Sequence, residues 1–208
     1  MEDMLKKEDF ENNNIVDMNV LYFVTGNQGK YREVAELAKK YGLVVEMLNI
    51  EKIEIQSDDI REIALFSARW VATKIRRKIP IVVEDAGLFI EALNGFPGPY
   101  SSYVYKTLGL NGILKLLDGI ENRRAYFRAV AVLEHPVLGE QVFEGIVYGR
   151  IAHYPRGTGG FGFDPIFVPE GEEKTFAELP VSDKNKYSHR ARAFRKLFEW
   201  IRSRFSKA

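Results

Sequence analysis

The sequence predicts an α/β fold in which helices flank a mixed β-sheet. In the first half of the chain, short apolar segments alternate with segments of helical period, a pattern typical of βα units. Further along, Ala125–Leu133 and Gln141–Arg150 have the composition of two strands joined by a short turn, which predicts an antiparallel hairpin. The change from βα units to a hairpin therefore predicts a mixed sheet or a second lobe, with a cleft between the two parts.

Length and composition are those of an ordinary globular chain. The protein has 208 residues, of which 46% are hydrophobic and 28% charged, and we expect one domain over residues 18–208. Residues 1–17 contain an Asn run and little periodicity, so we expect them to form a disordered extension. The formal net charge of +1 predicts neither nucleic acid nor a membrane as partner.

Several classes of site and of location are excluded or disfavoured. The chain contains no cysteine, so disulfides, thiolate metal sites and a cysteine nucleophile are excluded. Its first residues lack the apolar core of a signal peptide, and no apolar run reaches the roughly 18–20 residues of a membrane helix. We therefore expect a cytoplasmic protein.

The first predicted βα unit has the form of a phosphate-binding turn. Strand Val20–Val24 breaks at Thr25–Asn27, and Lys30 enters the start of the next helix. A helix start leaves backbone N–H groups unpaired and directs the positive end of its dipole into the turn, which favours phosphate. Gly26 and Gly29 would allow a close backbone approach. GxxxxGK[ST] and GxGxxG are both absent, so an ordinary βα turn stays an alternative.

The next elements contain candidate carboxylates. The first helix is predicted to be amphipathic, with Glu33 on its solvated face, and Leu43–Leu48 is predicted to be a second strand. An acid-rich loop follows. Asp58 or Asp59 would cap the next helix, because both stand directly before its apolar positions. Glu54 lies too far upstream to cap, which makes it a candidate functional residue.

A third predicted strand, Ile81–Val83, ends in the adjacent carboxylates Glu84 and Asp85. Ligands bind at the carboxyl ends of strands in open α/β sheets, and acids in such a cleft are costly unless they hold a cation or a proton. Because side chains alternate along a strand, only one of the two can point into a given cleft. An exposed acidic turn is the alternative interpretation.

Two later segments combine glycine with aromatic residues. Gly95–Tyr100 is predicted to be a rigid loop, and the aromatic segment Tyr100–Leu110 is either core or interface. The densest glycine cluster, Arg156–Pro165, contains Phe161 and Phe163. Such a cluster predicts a backbone that lies against a flat ligand, with one aromatic ring for stacking, although a mobile loop is the alternative.

With these segments in view, the sequence resembles the inosine/xanthosine triphosphate pyrophosphatase family, from Val20 to Phe205. The resemblance rests on five motifs that occur in the order of the family. They are Thr25-Gly26-Asn27 with Lys30, the strand ending in Glu84-Asp85, Gly95-Phe96-Pro97-Gly98-Pro99-Tyr100, Gly160-Phe161-Gly162-Phe163-Asp164-Pro165, and Lys184-Asn185 with Ser188-His189-Arg190.

The resemblance implies a two-lobed ITPase-like fold, with a long mixed β-sheet flanked by helices and a nucleotide cleft between the lobes. It implies that residues 18–208 form a single catalytic domain, usually in a homodimer. It also implies a Mg²⁺-dependent reaction that hydrolyses ITP, dITP and XTP between the α and β phosphates. The products would be the monophosphate and pyrophosphate, so that non-standard purine nucleotides leave the pool.

Site residues are implied by position in the motifs. Glu54 and Asp85 would hold the metal, and Asp85 would also activate water. The residues that would bind the substrate are Thr25, Gly26, Asn27, Gln28, Gly29, Lys30, Ala86, Phe161, Gly162, Phe163, Asp164, Lys184, His189 and Arg190. Many family members have Lys where this chain has Ser67, and Ser or Thr where it has Ala86, so Ala86 can contribute only its backbone N–H.

The residues fit this chemistry. Lys30, Lys184 and Arg190 would offset triphosphate charge, and donors on His189 or Arg190 would favour bases with an oxygen at C6 over adenine. Two alternatives stay open, which are a related pyrophosphatase for other modified or standard nucleotides and a non-catalytic nucleotide sensor. Magnesium-dependent pyrophosphate release separates the sensor from the enzymes, and a panel of substrates separates the enzymes from each other.

Overall fold

The computed structural model describes residues 19–75, 79–136 and 138–205. The predicted extension, residues 1–17, lies outside the described residues. The strands are β1 Val20–Val24, β2 Val44–Leu48, β3 Ile81–Ile90, β4 Pro97–Gly98, β5 Arg124–His135, β6 Gly139–Ile151 and β7 Phe167–Pro169. The helices are α1 Gln28–Lys39, α2 Ile60–Lys74, α3 Ser101–Thr107, α4 Gly109–Leu116, α5 Val181–Tyr187 and α6 His189–Phe205. None of the helices within the described ranges is long and apolar enough to cross a membrane.

The strands of the described residues form one mixed sheet in the order β2-β1-β3-β5-β6-β7, with β4 added beside β3. β1 is parallel to β2 and to β3, as expected for βα units. The pairs β3–β5, β5–β6 and β6–β7 are antiparallel. The predicted mixed sheet and its central hairpin are therefore confirmed.

β3 is longer than the sequence predicted, and the position of its two carboxylates was wrong. Parallel pairing with β1 stops at Val24 and Val83, but antiparallel pairing with β5 continues from Glu84 to Ile90. β5 supplies hydrogen bonds beyond the turn that ends β1, so β3 has no reason to stop there. Glu84 and Asp85 lie in the middle of β3, at the opening that β1 leaves where it ends.

The two ends of the long strands β3 and β5 belong to different lobes. At one end, α1 and α6 pack on one face of the sheet around Val82, and α2 packs on the other face around Val83. At the other end, Leu88 and Phe127 pack with residues of α3, α4 and the segment from Phe163 to Phe176. Glu84, Asp85 and Ala86 lie between these cores, so the sheet itself places them between the lobes.

Candidate active site

A cavity of about 450 Å³ lies between the lobes, and we call it the cleft. Thirteen of the predicted site residues line it, namely Thr25, Gly26, Asn27, Lys30, Glu54, Asp85, Ala86, Phe161, Gly162, Phe163, Asp164, His189 and Arg190. Gln28, Gly29 and Lys184 do not belong to its lining. The structure thus brings together residues that span more than 160 positions of the chain, from Thr25 to Arg190.

The turn after β1 differs in one respect from the predicted phosphate loop. The backbone N–H groups of Gly29 and Lys30 were expected to be unpaired, but both donate to Asn27 Oδ1, at 2.8 and 3.1 Å. Asn27 is the N-cap of α1, and its own N–H donates to Thr25 Oγ1 at 3.1 Å. The cation of this turn is therefore the Lys30 side chain, while the helix start is already capped.

Glu84 is a charged anchor at the base of the cleft. It is buried, and its carboxylate lies 2.7 Å from Lys30 Nζ and 3.1 Å from Arg190 Nε. Burial alone would raise its pKa, but the charges of Arg190 and Lys30 outweigh burial and lower the pKa to about 2. Glu84 is thus ionised at neutral pH, and it fixes both cations at the cleft.

Asp85 follows Glu84 on β3 and has a different environment, but both residues line the cleft. The expectation that only one of the two could point into it was therefore wrong, because the cleft lies at the opening beyond the end of β1 and reaches both residues. Its exposed fraction is 8%, yet no described side chain pairs with its carboxylate. Burial and the nearby charges of Glu54 and Glu84 raise its pKa to about 6, although Lys52 and Lys30 act in the other direction. A buried carboxylate without a donor is suited to hold a cation or to take a proton from water.

Glu54 faces Asp85 from the loop between β2 and α2, and it is paired with Lys52, a residue that the sequence prediction missed. The Nζ of Lys52 lies 2.6 Å from Glu54 Oε1. Burial raises the pKa of Glu54, but the charge of Lys52 outweighs it and holds the pKa below its usual value. Ser67 anchors this loop, because its buried Oγ donates to the Ile53 carbonyl at 2.7 Å.

The residues present fit a hard divalent cation of the Mg²⁺ type. No cluster of three His, Cys, Asp or Glu side chains that could hold a metal occurs within the described residues. Mg²⁺ does not need such a cluster, since it usually binds one or two carboxylates and completes its coordination with water and substrate phosphates. Asp85, buried and unpaired, is the observation that supports the fit, and Glu54 is the second carboxylate.

Beneath the cleft lies a buried ion-pair cluster that the sequence prediction placed wrongly. Glu33 was predicted on a solvated face, but α5 and α6 cover that face, and its carboxylate pairs with Lys184 at 2.6 Å and with Arg190 at 2.5 Å. Lys184 was expected to meet phosphates, but its Nζ is enclosed between Glu33 and Asp164. These charges therefore hold Arg190 in position from below, and the contact of Lys184 with a nucleotide stays a prediction.

The glycine cluster places Phe161 against the start of α1. The Phe161 ring lies 4.9 Å from Lys184 Nζ and 5.4 Å from Arg190 Cζ. A Cβ at Gly29 would lie 2.4 Å from the Phe161 ring, so the glycine at this position permits the contact. Asp164 Oδ2 accepts the Phe161 N–H at 2.8 Å and so fixes the loop. Phe163 is buried in the second lobe, with its ring centroid 5.5 Å from that of Tyr105.

His189 is the first residue of α6 and lines the cleft. Its ring stacks on Phe127, with 4.6 Å between centroids and 11° between planes. Its Nδ1 has no hydrogen-bond partner among residues 19–75, 79–136 and 138–205. Burial, together with the charges of Arg190 and Lys184, lowers its pKa well below the usual value. The imidazole is therefore neutral and presents one donor and one acceptor nitrogen.

Two of the missed residues carried a weak sequence signal. Glu33 stands three residues after Lys30, so both occupy one side of α1 near its start. Lys52 stands two residues before Glu54. Neither spacing shows that α5 and α6 bury Glu33, or that the loop turns Lys52 into the cleft, because those contacts come from distant parts of the chain.

The fold and the cleft together are those of a two-lobed α/β protein, in which a cleft of about 450 Å³ contains fixed cations, a neutral histidine and an unpaired carboxylate. The chain belongs to the Ham1 family, whose model matches residues 21–200.

Similar proteins agree with this assignment. The chain is 52% identical over 186 residues to a dITP/XTP pyrophosphatase of Methanopyrus kandleri, which covers 89% of this chain and 97% of that protein. It is 49% identical over 187 residues to a dITP/XTP pyrophosphatase of Hyperthermus butylicus, at 90% and 97% coverage. Among solved structures, a HAM1 protein from Coxiella burnetii has a TM-score of 0.75 at 30% identity, covering 89% of this chain and 100% of that chain.

Proposed function

We propose that this protein hydrolyses non-standard purine nucleoside triphosphates, dITP and XTP among them, to the nucleoside monophosphate and pyrophosphate. One observation of the structure supports this most directly, namely the buried and unpaired carboxylate of Asp85 in a cleft lined by Lys30, His189 and Arg190. The names of the similar proteins point to the same reaction. Such a reaction would remove these nucleotides from the pool.

Each part of the cleft has a place in this chemistry. Lys30 would hold the triphosphate, and Asp85 would orient water and accept its proton as the oxygen attacks phosphorus. A Mg²⁺ ion held by Asp85 and Glu54 would offset charge on the phosphate oxygens. Arg190 and Glu84 keep Lys30 in place, so the positive charge is fixed before the substrate arrives.

The proposal is tested by a substrate panel. With Mg²⁺ present, the purified protein should release pyrophosphate from ITP, dITP and XTP much faster than from ATP. Equal rates for ITP and ATP would contradict the proposed specificity and favour a pyrophosphatase for other nucleotides. Tight binding of nucleotide without pyrophosphate release would favour the non-catalytic sensor.

Selection of the base is expected to depend on His189. The neutral imidazole can donate one hydrogen bond to an oxygen at C6 of the purine, whereas adenine offers an amino group there. We expect His189→Ala to lower kcat/KM for ITP by about 10- to 100-fold and to change kcat/KM for ATP much less, because a mispaired buried group costs about 1–3 kcal/mol. His153→Ala, at an exposed histidine, is the matched control.

Lys30 is expected to act on all triphosphates alike. Phosphate contacts carry no information about the base, so Lys30→Ala should lower kcat/KM for ITP and ATP by similar factors. Steady-state kinetics with both nucleotides on both variants measures this division of roles. A base-selective effect at Lys30, or an equal effect on ITP and ATP at His189, would contradict it.

We further propose that two copies of the chain form a symmetric homodimer through the segment Tyr100–Leu110. This segment forms α3 and the start of α4, and it exposes 69% of Tyr103 and 50% of Leu108. Light scattering should show a dimer at micromolar concentration, and Tyr103→Asp should shift it toward monomer. Tyr154→Asp, at a tyrosine that is 64% exposed elsewhere, should leave the dimer intact. A wild-type monomer would refute the proposal.

The cytoplasm is the compartment that we propose, since the chain has no cysteine and its expected substrates belong to the nucleotide pool. Nucleic acid and membranes are not part of the proposed function, because the net charge of +1 gives no general attraction to either. Localisation of a tagged full-length protein tests the compartment.

A further inference from the structure

Lys52 is a cation in the cleft to which the proposed function gives no role. Its side chain is 19% exposed and lies in the cleft lining. The Nζ lies 2.6 Å from Glu54 Oε1 and 3.5 Å from the Glu84 backbone oxygen. The ammonium group therefore binds one of the two carboxylates that fit a divalent cation.

The contact lies on a loop whose backbone is held in place, while the Glu54 side chain itself is 52% exposed. Lys52 and Glu54 flank Ile53, whose carbonyl accepts the buried Ser67 hydroxyl at 2.7 Å. That hydrogen bond ties the loop to α2. Most exposed ion pairs contribute little because both side chains must be ordered, but here the backbone between the two residues is already held.

Lys52 and a divalent cation would compete for Glu54. The Lys52 ammonium group occupies Glu54 Oε1, with 2.6 Å between Nζ and this oxygen. The ammonium group is thus the counter-ion of Glu54 when no metal is bound. A dication on Oε1 of Glu54 would lie within about 5 Å of this ammonium group, and one on Oε2 within about 7 Å, because Mg²⁺ binds oxygen at about 2.1 Å. Like charges at such distances repel each other inside a protein.

We propose that Lys52 is the resident counter-ion of Glu54, that a divalent cation displaces it, and that the freed ammonium group then binds the triphosphate of the incoming nucleotide. This inference rests on the proposed function of the cleft. The exchange explains why a lysine stands beside Glu54, since Lys52 offsets the charge of this carboxylate before a metal binds and supplies a cation once the substrate arrives. Replacement of Lys52 is therefore predicted to strengthen the binding of the metal and to weaken the binding of the nucleotide.

The first experiment measures binding of Mn²⁺ alone, without nucleotide, by electron paramagnetic resonance. Lys52→Gln should bind Mn²⁺ at least 5-fold more tightly than wild type, because its competitor is gone. Lys30→Gln is the matched control, since it removes the same charge from the same cleft but from a lysine paired with Glu84. Its Mn²⁺ affinity should change less than 2-fold. An equal gain in both variants would overturn the proposal, because it would show a general charge effect.

The second experiment places the competition at Glu54. In a Glu54→Gln background, Lys52→Gln should no longer tighten Mn²⁺ binding, and a gain that persists there would overturn the proposal. At saturating Mg²⁺, the KM of Lys52→Gln for ITP should rise at least 5-fold. An unchanged KM would overturn the proposal that the freed ammonium group binds the triphosphate. A wild type that binds Mn²⁺ but hydrolyses no triphosphate would refute the proposed function, and the Mn²⁺ comparison would still decide the role of Lys52.

Discussion

Asp85→Asn should lower kcat/KM for ITP by at least about 100-fold and, at the same time, raise the melting temperature of the metal-free protein. The loss of activity is expected because an amide cannot accept a proton from water and is a weak ligand for Mg²⁺. The gain in stability is expected because Asp85 is buried without a partner, and burial raises its pKa to about 6. Above this pH the folded state must hold an unfavourable charge, which the amide lacks.

The size and sign of the stability effect follow from the raised pKa. When the pKa of a carboxyl group is higher in the folded than in the unfolded state, the free energy of unfolding falls as the pH rises between the two values. For Asp85 these values are 3.8 and about 6. At pH 7 the free energy of unfolding of Asp85→Asn should therefore be about 1–3 kcal/mol higher than that of wild type. Denaturant unfolding in the presence of a chelator measures this difference in stability, and ITP turnover with Mg²⁺ measures the loss of activity.

A matched control is Asp118→Asn, which makes the same replacement at an exposed aspartate after α4. Both its activity and its stability should be close to those of wild type. An Asp85→Asn variant with near-normal turnover would remove Asp85 from the mechanism. A variant that is inactive but also less stable would mean that the carboxylate holds the fold together, which the lack of a partner argues against.

The sequence predicted the sheet well because hydrophobic period and turn residues are local properties. The strand at Val20–Val24, the hairpin of β5 and β6, and the cap of α2 by Asp59 all lie where local pattern placed them. The predicted end of β3 was wrong for a non-local reason. Its length depends on β5, which pairs with it about 45 positions further along the chain, and on Gly87, where a Cβ would lie 2.2 Å from the Gly98 carbonyl oxygen.

The candidate site, like the fold, could be predicted from the sequence only in part. Motif residues such as Lys30, Asp85 and His189 all line one cleft, because the sheet brings together the start of α1, the middle of β3 and the start of α6. The pairing of charges could not be predicted from the sequence. Glu33 was expected to face water, and nothing in the sequence paired it with Lys184, because whether a charge is buried depends on which distant element packs over it.

Glu33→Gln is expected to destabilise the fold strongly. The cluster around Glu33 contains three carboxylates and three cations, which are Glu33, Glu84, Asp164, Lys30, Lys184 and Arg190. Removal of one carboxylate leaves a buried excess of positive charge between α1 and α6. Breaking a buried pair in this way costs about 3–5 kcal/mol of unfolding free energy, which urea denaturation at pH 7 should show.

The loss should also depend on pH, with a sign that the ion pairs determine. Burial raises the pKa of Glu33, but the charges of Arg190 and Lys184 outweigh burial and hold it below the usual value of 4.5. A lowered pKa stabilises the fold above the unfolded value, and this contribution is lost as the pH falls through the folded value. The difference in stability between wild type and Glu33→Gln should therefore be full at pH 7 and shrink below about pH 4.5.

Two comparisons show whether charge is the cause. Glu36→Gln, one turn further along α1 and outside the cluster, should leave stability nearly unchanged. The double replacement Glu33→Gln with Lys184→Gln restores equal numbers of positive and negative groups, so it should be more stable than Glu33→Gln alone, whereas two independent packing losses would add.

Because Glu33 holds Arg190, and His189 precedes Arg190 at the start of α6, Glu33→Gln should also raise the KM for ITP. Normal stability with an altered KM would instead show that Glu33 acts on the ligand and that the cluster tolerates an unbalanced charge.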